Sequence, residues 1–442
     1  MGIKCLIIAA GKGRRLRQRG DSKPLIPILG LPLIERVIHS AREAGADDFY
    51  VVTGYQEGLI RAFLANLTHR LGCRITPILN QDWEKENGLS VLRAREYLQE
   101  PFLLLMADHL FDPSIARELM ARSLSDGEIA LGVDMDTRNS FIDMEDVTRV
   151  KTNAGKIRNI GKGLTDFNGF DTGIFKCTPA IFSMLERSAK QDGDTTLSAA
   201  VQMLAVAGKA KTVEINGHFW IDVDDPETFS RAEKAILTSL QDKPNDGPVS
   251  RYINRPLSVR ISRRLVNHRI TPNQISLFSF LCSVLAAGLF ACDGYLALLL
   301  GGFMAQFASI VDGCDGEVAR LTYQSSPYGG WFDAVLDRYA DAFLLFGLMW
   351  HAYADRTDGL ILLFGFLAII GSFMLSYTAD KHDSLMRDRI SRGRGLRMGR
   401  DIRVFLIFLG AVFNQAYLTL VVIAAVMNIA TIRRLIICRD HG

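Results

Sequence analysis

No Cys-x-x-Cys pair occurs in this 442-residue chain, and its seven cysteines (Cys5, Cys73, Cys177, Cys282, Cys292, Cys314 and Cys438) are odd in number and widely spaced. That argues against a disulfide framework and a structural zinc site and suits a reducing, cytoplasmic compartment. Charge of one sign is also missing. The 51 Lys and Arg against 48 Asp and Glu leave a formal charge of +3, so no global basic field marks a nucleic-acid partner. Proline (13) and glycine (38) stay at ordinary levels while 48% of residues are hydrophobic, which excludes collagen-like, low-complexity and disordered chains. No Ser-His-Asp or Cys-His constellation is visible to support covalent catalysis. A signal peptide would place its charges first; Met1 to Gly11 is instead a short apolar run followed by glycines and arginines, and reads as a buried strand.

What is present is uneven. The length favours two or three domains, and a mean hydropathy of +0.14 is high for a wholly soluble enzyme. Up to Leu240 short β-rich runs (Cys5–Ala10, Asp48–Thr53, Arg74–Asn80, Phe102–Ala107, Glu128–Val133) alternate with helical stretches (Leu33–Ala44, Gly58–Leu67). The alternation predicts a Rossmann-like α/β domain with a parallel sheet, helices on both faces and ligands at the carboxyl ends of the strands. Residues 241–249 are polar and carry proline and glycine, as a linker does.

Beyond the linker, apolar stretches appear at Ile275–Ala291, Tyr295–Ile310, Trp331–Trp350, Leu360–Tyr377, Val404–Phe413 and Leu418–Ile432. Several approach the ~20 residues that cross a bilayer core, so residues 271–442 are expected to form an all-α domain of six transmembrane helices. Six arginines lie between Arg251 and Arg269, eight basic residues lie between Lys381 and Arg403, and the opposite-side loops hold one, Arg356. Both termini and the first domain (residues 1–240) therefore fall on the cytoplasmic side of a cell membrane. Residues 250–270, basic with apolar residues interspersed, read either as a helix lying on anionic lipid headgroups or as the flank of the first span.

Charged residues beside a span are costly, and four aspartates cluster there: Asp312 and Asp315 at i, i+3, then Asp333 and Asp337 at i, i+4. On two helices joined by a short loop, four carboxylates can point at one place, where hard divalent cations, Mg²⁺ or Mn²⁺, are the natural partners. Gly316 and Gly329 leave room for a phosphate. The pattern D-x-x-D-G-x-x-A-R-x8-G-x3-D-x3-D resembles the signature of the CDP-alcohol phosphotransferases, a six-helix membrane family that displaces CMP from a CDP-alcohol with a second alcohol. The resemblance implies Asp312, Asp315, Asp333 and Asp337 as ligands of two metal ions, Asp337 as the base, and Gly316, Ala319, Arg320 and Gly329 around the nucleotide.

The first domain carries a different signature. Ala10, Gly11 and Gly13 follow a strand and could wrap a phosphate with backbone N–H groups, but neither a P-loop nor a dinucleotide fingerprint is complete. With Arg15, Lys23-Pro24-Leu25 and Gly30-Leu-Pro32, the run resembles the nucleotidyltransferases that make NDP-sugars and CDP-alcohols. That resemblance implies Mg²⁺ on Asp108 and on Asp222 or Asp224, Arg15 and Lys23 on the triphosphate, Asn87 and Ser90 near the base, and Lys162 and Asp171 on the alcohol side. One half would make the CDP-alcohol that the other consumes. Jointly they resemble bifunctional enzymes that convert CTP and inositol 1-phosphate to CDP-inositol and pass its phosphoinositol to another inositol 1-phosphate. A lipid acceptor, or a non-catalytic first half, are the competing readings. Lys381, Arg387, Arg389, Arg392 and Arg394 are either acceptor-phosphate ligands or ordinary positive-inside residues, and a homodimer through the transmembrane half is expected.

Overall fold

Short apolar segments separated by amphipathic ones build the first unit. Its strands are β1 (Ile3–Ala9), β2 (Pro27–Ile28), β3 (Leu31–Pro32), β4 (Ala46–Thr53), β5 (Arg74–Leu79), β6 (Phe102–Met106), β7 (His109–Phe111), β8 (Ile129–Asp134), β9 (Arg149–Asn153), β10 (Lys156–Gly161), β11 (Gly169–Cys177), β12 (Ala210–Glu214) and β13 (Trp220–Asp222). Its helices are α1 (Leu33–Ala44), α2 (Glu57–Leu71), α3 (Asn87–Leu92), α4 (Pro113–Ala121), α5 (Ala180–Gln191), α6 (Leu197–Val206) and α7 (Pro226–Ser239). The computed structural model describes residues 2–139, 141–215, 217–241, 246–268, 270–385 and 399–440. Arg269, residues 242–245 of the expected linker, Arg387, Arg389, Arg392, Arg394 and the Lys381 side chain lie outside what is described. Two compact units result, Met1–Ile236 and Leu237–Gly442.

One sheet runs β5-β4-β1-β6-β11-β8-β12-β10-β9. β5, β4, β1 and β6 are parallel, whereas β11 is antiparallel to β6 and β8, and β10 to β12 and β9. The wholly parallel sheet expected above is thus corrected to a mixed one. The strands recognised in the sequence were those separated by helices, while β9, β10 and β11 follow one another without a helix and must reverse. The β9–β10 turn shows how: Ala154 and Gly155 both take positive φ, 50° and 71°, as a two-residue hairpin requires. β1 lies inside the sheet and buries Cys5, Leu6 and Ile7 completely. The winding direction changes between β1 and β6, so their carboxyl ends border an open crevice.

The second unit begins with a wide helical turn (Ser250–Asn254) and continues with α8 (Arg255–Leu265), α9 (Pro272–Phe290), α10 (Tyr295–Leu321), α11 (Pro327–Asp355), α12 (Gly359–Leu385), α13 (Arg400–Val412) and α14 (Ala416–Asp440). Thr271 and Gln274 form a reciprocal cap at the start of α9 with Pro272 in its first turn, so the residues just before the first long apolar stretch fix where its helix begins. Asn414, at φ 56°, makes the tight turn between α13 and α14. α9 packs on α10 and α11, α12 on α14, and α13 on α10. Among the described residues, four helices (α9, α10, α12 and α14) are long and apolar enough to cross a membrane. α11 is interrupted by Asp333, Asp337, Arg338 and Asp341, and α13 has 13 residues. The outer faces are apolar as well as the core: Leu281 is 55% exposed, Phe303 54% and Phe366 59%. Helices greasy on both sides belong against lipid.

Candidate active sites

The crevice of the first unit is a cavity of about 340 Å³ whose lining includes Ala10, Gly11, Asn87, Ser90, Asp108, Lys162, Asp171, Asp222 and Asp224. Asp108 follows β6, and the β7–β13 pairing sets Asp222 opposite His109. Lys23, only 6% exposed, reaches in from a short 3-10 turn with its Nζ 2.5 Å from Asp108 Oδ2 and in contact with Asp224. Burial works against the ammonium, but Asp108, Asp222 and Asp224 outweigh it and hold Lys23 above the usual lysine range. Asp108 is half-buried, and desolvation works against its charge, yet Lys23 and His109 keep its carboxyl far below the usual range. Asp222 lacks so close a cation: burial pushes it up to about 7, and its Oδ1 is buried without a hydrogen-bond partner.

His109, which the sequence reading missed although it adjoins Asp108, places Nδ1 2.9 Å from Asp108 Oδ1 and 3.7 Å from Asp222 Oδ1. Burial opposes its charge, but Asp222 and Asp108 raise it to about 9. Gly173, at φ 72°, makes room for the imidazole, since a Cβ there would stand 2.6 Å from His109 Cδ2. Asp171 accepts the Gly173 N–H at 2.7 Å, and burial pushes its carboxyl up to about 6.

Asp108, His109 and Asp222 offer ligand atoms within 4.8 Å of one another. Two carboxylates with an orphaned oxygen, beside an imidazole, fit a divalent cation. Asp224 faces elsewhere, onto Lys23 and onto Arg15 at 2.9 Å. Asp146, also missed, collects both Lys162 and Arg15, which lower its carboxyl to about 2. Gly11 faces open space, with no atom within 4 Å of a built Cβ. Gly13, at φ 59°, lets Lys23 pass under the loop, where a Cβ would meet the lysine side chain at 2.3 Å. Asn87 Oδ1 accepts the Leu197 N–H at 2.9 Å, and Asn80 Nδ2 donates to Ser90 Oγ at 3.0 Å, so both cavity residues also fasten α3.

In the second unit α10 presents Asp312 and Asp315, and α11 presents Asp333 and Asp337. Ligand atoms of Asp312, Asp333 and Asp337 fall within 4.8 Å, an all-oxygen set suited to Mg²⁺ or Mn²⁺. Asp315 stands beside them, accepting from Ser276 Oγ at 2.5 Å, while Ser279 donates to Asp312 at 3.1 Å. Sequence reading missed Arg400 on α13, whose Nη1 lies 2.6 Å from both Asp312 and Asp337. Arg403 joins it at Asp341, 2.5 Å away. Arg320 Nη2 is buried with no hydrogen-bond partner, an orphan donor that fits an anionic ligand. Gly316 allows a Cβ only 3.3 Å from Arg320 Nη1, half-buried Ala319 precedes that arginine on α10, and the Gly329 N–H caps α11 by donating to Ser326 Oγ at 3.0 Å.

Residues 5–208 match the MobA-like NTP transferase domain, and residues 269–432 match the CDP-alcohol phosphatidyltransferase family. Fold and sites thus define an enzyme with a nucleotidyltransferase unit and a CDP-alcohol phosphotransferase unit. The Bifunctional IPC transferase and DIPP synthase of Rubrobacter xylanophilus is 36% identical over 440 residues, covering 98% of this chain and 96% of its own. The chain belongs to this bifunctional family of inositol-1-phosphate cytidylyltransferase (IPC transferase) fused to di-myo-inositol-phosphate phosphate (DIPP) synthase. The Archaetidylinositol phosphate synthase of Pyrococcus horikoshii is 31% identical over 185 residues, 41% of this chain and 90% of that one. The structure of the inositol-1-phosphate CTP transferase from T. maritima aligns with 53% of this chain and 94% of its own at 28% identity and a TM-score of 0.47.

Proposed function

We propose two successive transfers. In residues 1–240, CTP and inositol 1-phosphate give CDP-inositol and pyrophosphate. In residues 271–442, CDP-inositol and a second inositol 1-phosphate give di-myo-inositol phosphate phosphate and CMP. Residues 241–249 link the two, and residues 250–270 lie at the lipid interface. The observation that carries this reading is the 36% identity to a relative of that double name across both halves of the chain.

In the first site the triphosphate lies along Ala10, Gly11 and Gly13, with its charge offset by Arg15 and Lys23. Asn87 and Ser90 face the base, and Lys162 and Asp171 orient the alcohol phosphate. A phosphate oxygen of inositol 1-phosphate attacks the α-phosphorus in line, and the bond to pyrophosphate breaks. Asp108 and Asp222, with His109, would hold one Mg²⁺ or Mn²⁺, while Asp224, also a metal candidate from the sequence, is engaged by Lys23 and Arg15. In the second site Gly316, Ala319, Arg320 and Gly329 hold the diphosphate, and Asp312, Asp315, Asp333 and Asp337 hold a metal pair. Asp337 takes the proton of the incoming hydroxyl as its oxygen bonds phosphorus and the bond to CMP breaks. At both sites the metal supplies neutralisation of phosphate charge.

All six helices α9–α14 cross the cell membrane, pair as a homodimer, and leave both termini in the cytoplasm; the excess of Lys and Arg on one side supports this orientation. The test is purified full-length protein with CTP, Mg²⁺ and inositol 1-phosphate and no added lipid substrate. Pyrophosphate, CMP and a water-soluble diester carrying a second phosphate should appear together. Release of CMP only when a lipid alcohol is supplied would replace the acceptor, and no pyrophosphate from CTP would remove the first reaction.

A further inference from the structure

α10 carries a second polar stripe besides its aspartates: Gln306, Ser309, Gly313 and Glu317, at helical spacing. It meets the turn before α8 and α8 itself. Gln306 Nε2 donates to Asn254 Oδ1 at 2.8 Å, and Asn254 Nδ2 to Ser309 Oγ at 3.1 Å. Glu317 is completely buried and accepts three bonds, all from α8: Arg255 Nη1 at 2.8 Å, Ser258 Oγ at 2.6 Å and Ser262 Oγ at 2.7 Å. Arg255, 7% exposed, donates its Nε to Asp246 at 2.7 Å. A buried charge cluster of this kind is weak evidence for stability, because desolvation offsets most of the attraction. Its placement suggests another use.

Arg320 stands three residues beyond Glu317 on the same helix, the spacing at which side chains of opposite charge pair. The pair does not form. Glu317 turns to α8, and Arg320 Nη2 stays buried and unpartnered. We propose that Arg255, with Ser258 and Ser262, saturates Glu317 and so keeps Arg320 free for the diphosphate of the CDP-alcohol. On this account α8 is a positioning element of the second site, and Arg255 a positioning residue acting through Glu317. Without Arg255, the buried carboxylate turns to the next cation on its own helix and withdraws Arg320 from the substrate. The argument rests on the reading above that Arg320 holds the diphosphate.

The test uses the full chain, supplied with CDP-inositol and inositol 1-phosphate, and compares R320Q, R255Q, E317Q and R255Q/E317Q. R320Q and R255Q should each raise KM for CDP-inositol by about tenfold, as loss of one charge-assisted contact does, with kcat for R255Q within about twofold of the parent. E317Q should behave as the parent, and R255Q/E317Q should recover its KM, because a neutral amide no longer captures Arg320. If R255Q fails to fold, S258A/S262A takes its place, with a smaller rise in KM that E317Q again cures. A double variant as impaired as R255Q would overturn the positioning role while leaving the Arg320 reading intact. An unchanged KM in R320Q would overturn both.

Discussion

Lys23 contacts Asp108 and Asp224 directly and is the cation that outweighs burial at Asp108. Lys23→Met removes that cation and leaves half-buried carboxylates uncompensated, a change that costs on the order of 1–3 kcal/mol once water screening is allowed for. The melting temperature of the first unit should fall, and pyrophosphate release from CTP should drop by about a hundredfold, the scale of losing one preorganised charge contact. Given CDP-inositol, the same variant should still release CMP normally; undiminished pyrophosphate release would remove Lys23 from the site. Residues like Lys23 and Asp108 were legible because their chemical type and their position beside a strand end or glycine turn are local properties. Asp146 and Arg400 were not. Asp146 is 131 residues from Arg15 and lies in an irregular segment, and Arg400 sits in a basic stretch that the positive-inside rule already accounts for. His109 had a signal that went unused: it directly follows the strand-end aspartate.

Among the elements, the long apolar helices of the second unit were the easiest to read, since each apolar stretch is contained in a few dozen residues. Of the first unit's helices only α1 and α2 were read. The sheet was harder. Where β11 inserts depends on partners distant in the chain, β6 and β8, and nothing in its own nine residues states its direction. Helix crossings leave a fainter trace, in single glycines. Gly347 on α11 faces α9 so closely that a Cβ would stand 2.5 Å from the Ala287 carbonyl oxygen. Gly347→Leu therefore forces apart the two helices that carry Ser276 and Ser279 on one side and Asp333 and Asp337 on the other. Overpacking of this kind costs about 1–3 kcal/mol, so the detergent-purified protein should melt earlier and CMP release should fall while pyrophosphate release from CTP persists. Equal loss of both reactions would show that the crossing matters to the whole chain rather than to one site.

At the scale of the molecule, two compact units hold two separate acidic centres. Asp337→Asn keeps the side-chain volume and removes the charge proposed to accept a proton, so CDP-inositol should accumulate from CTP and inositol 1-phosphate while the diester does not form. Chromatography of the reaction mixture checks this, and diester at the parent's rate would displace Asp337 from its role. The division into a water-facing and a greasy half was legible from composition alone; the placement of Arg400 between Asp312 and Asp337 was not, and it bears on how the protein is made. Asp341 and its partner Arg403 are 62 residues apart. At roughly 5–20 residues per second, a ribosome adds Asp341 some 3–12 s before Arg403. Until α13 emerges, Asp312, Asp337 and Asp341 lack the two arginines that pair with them in the finished fold. Completion of this ion-pair cluster is thus timed by translation, the aspartates of α10 and α11 coming first and their α13 partners afterwards.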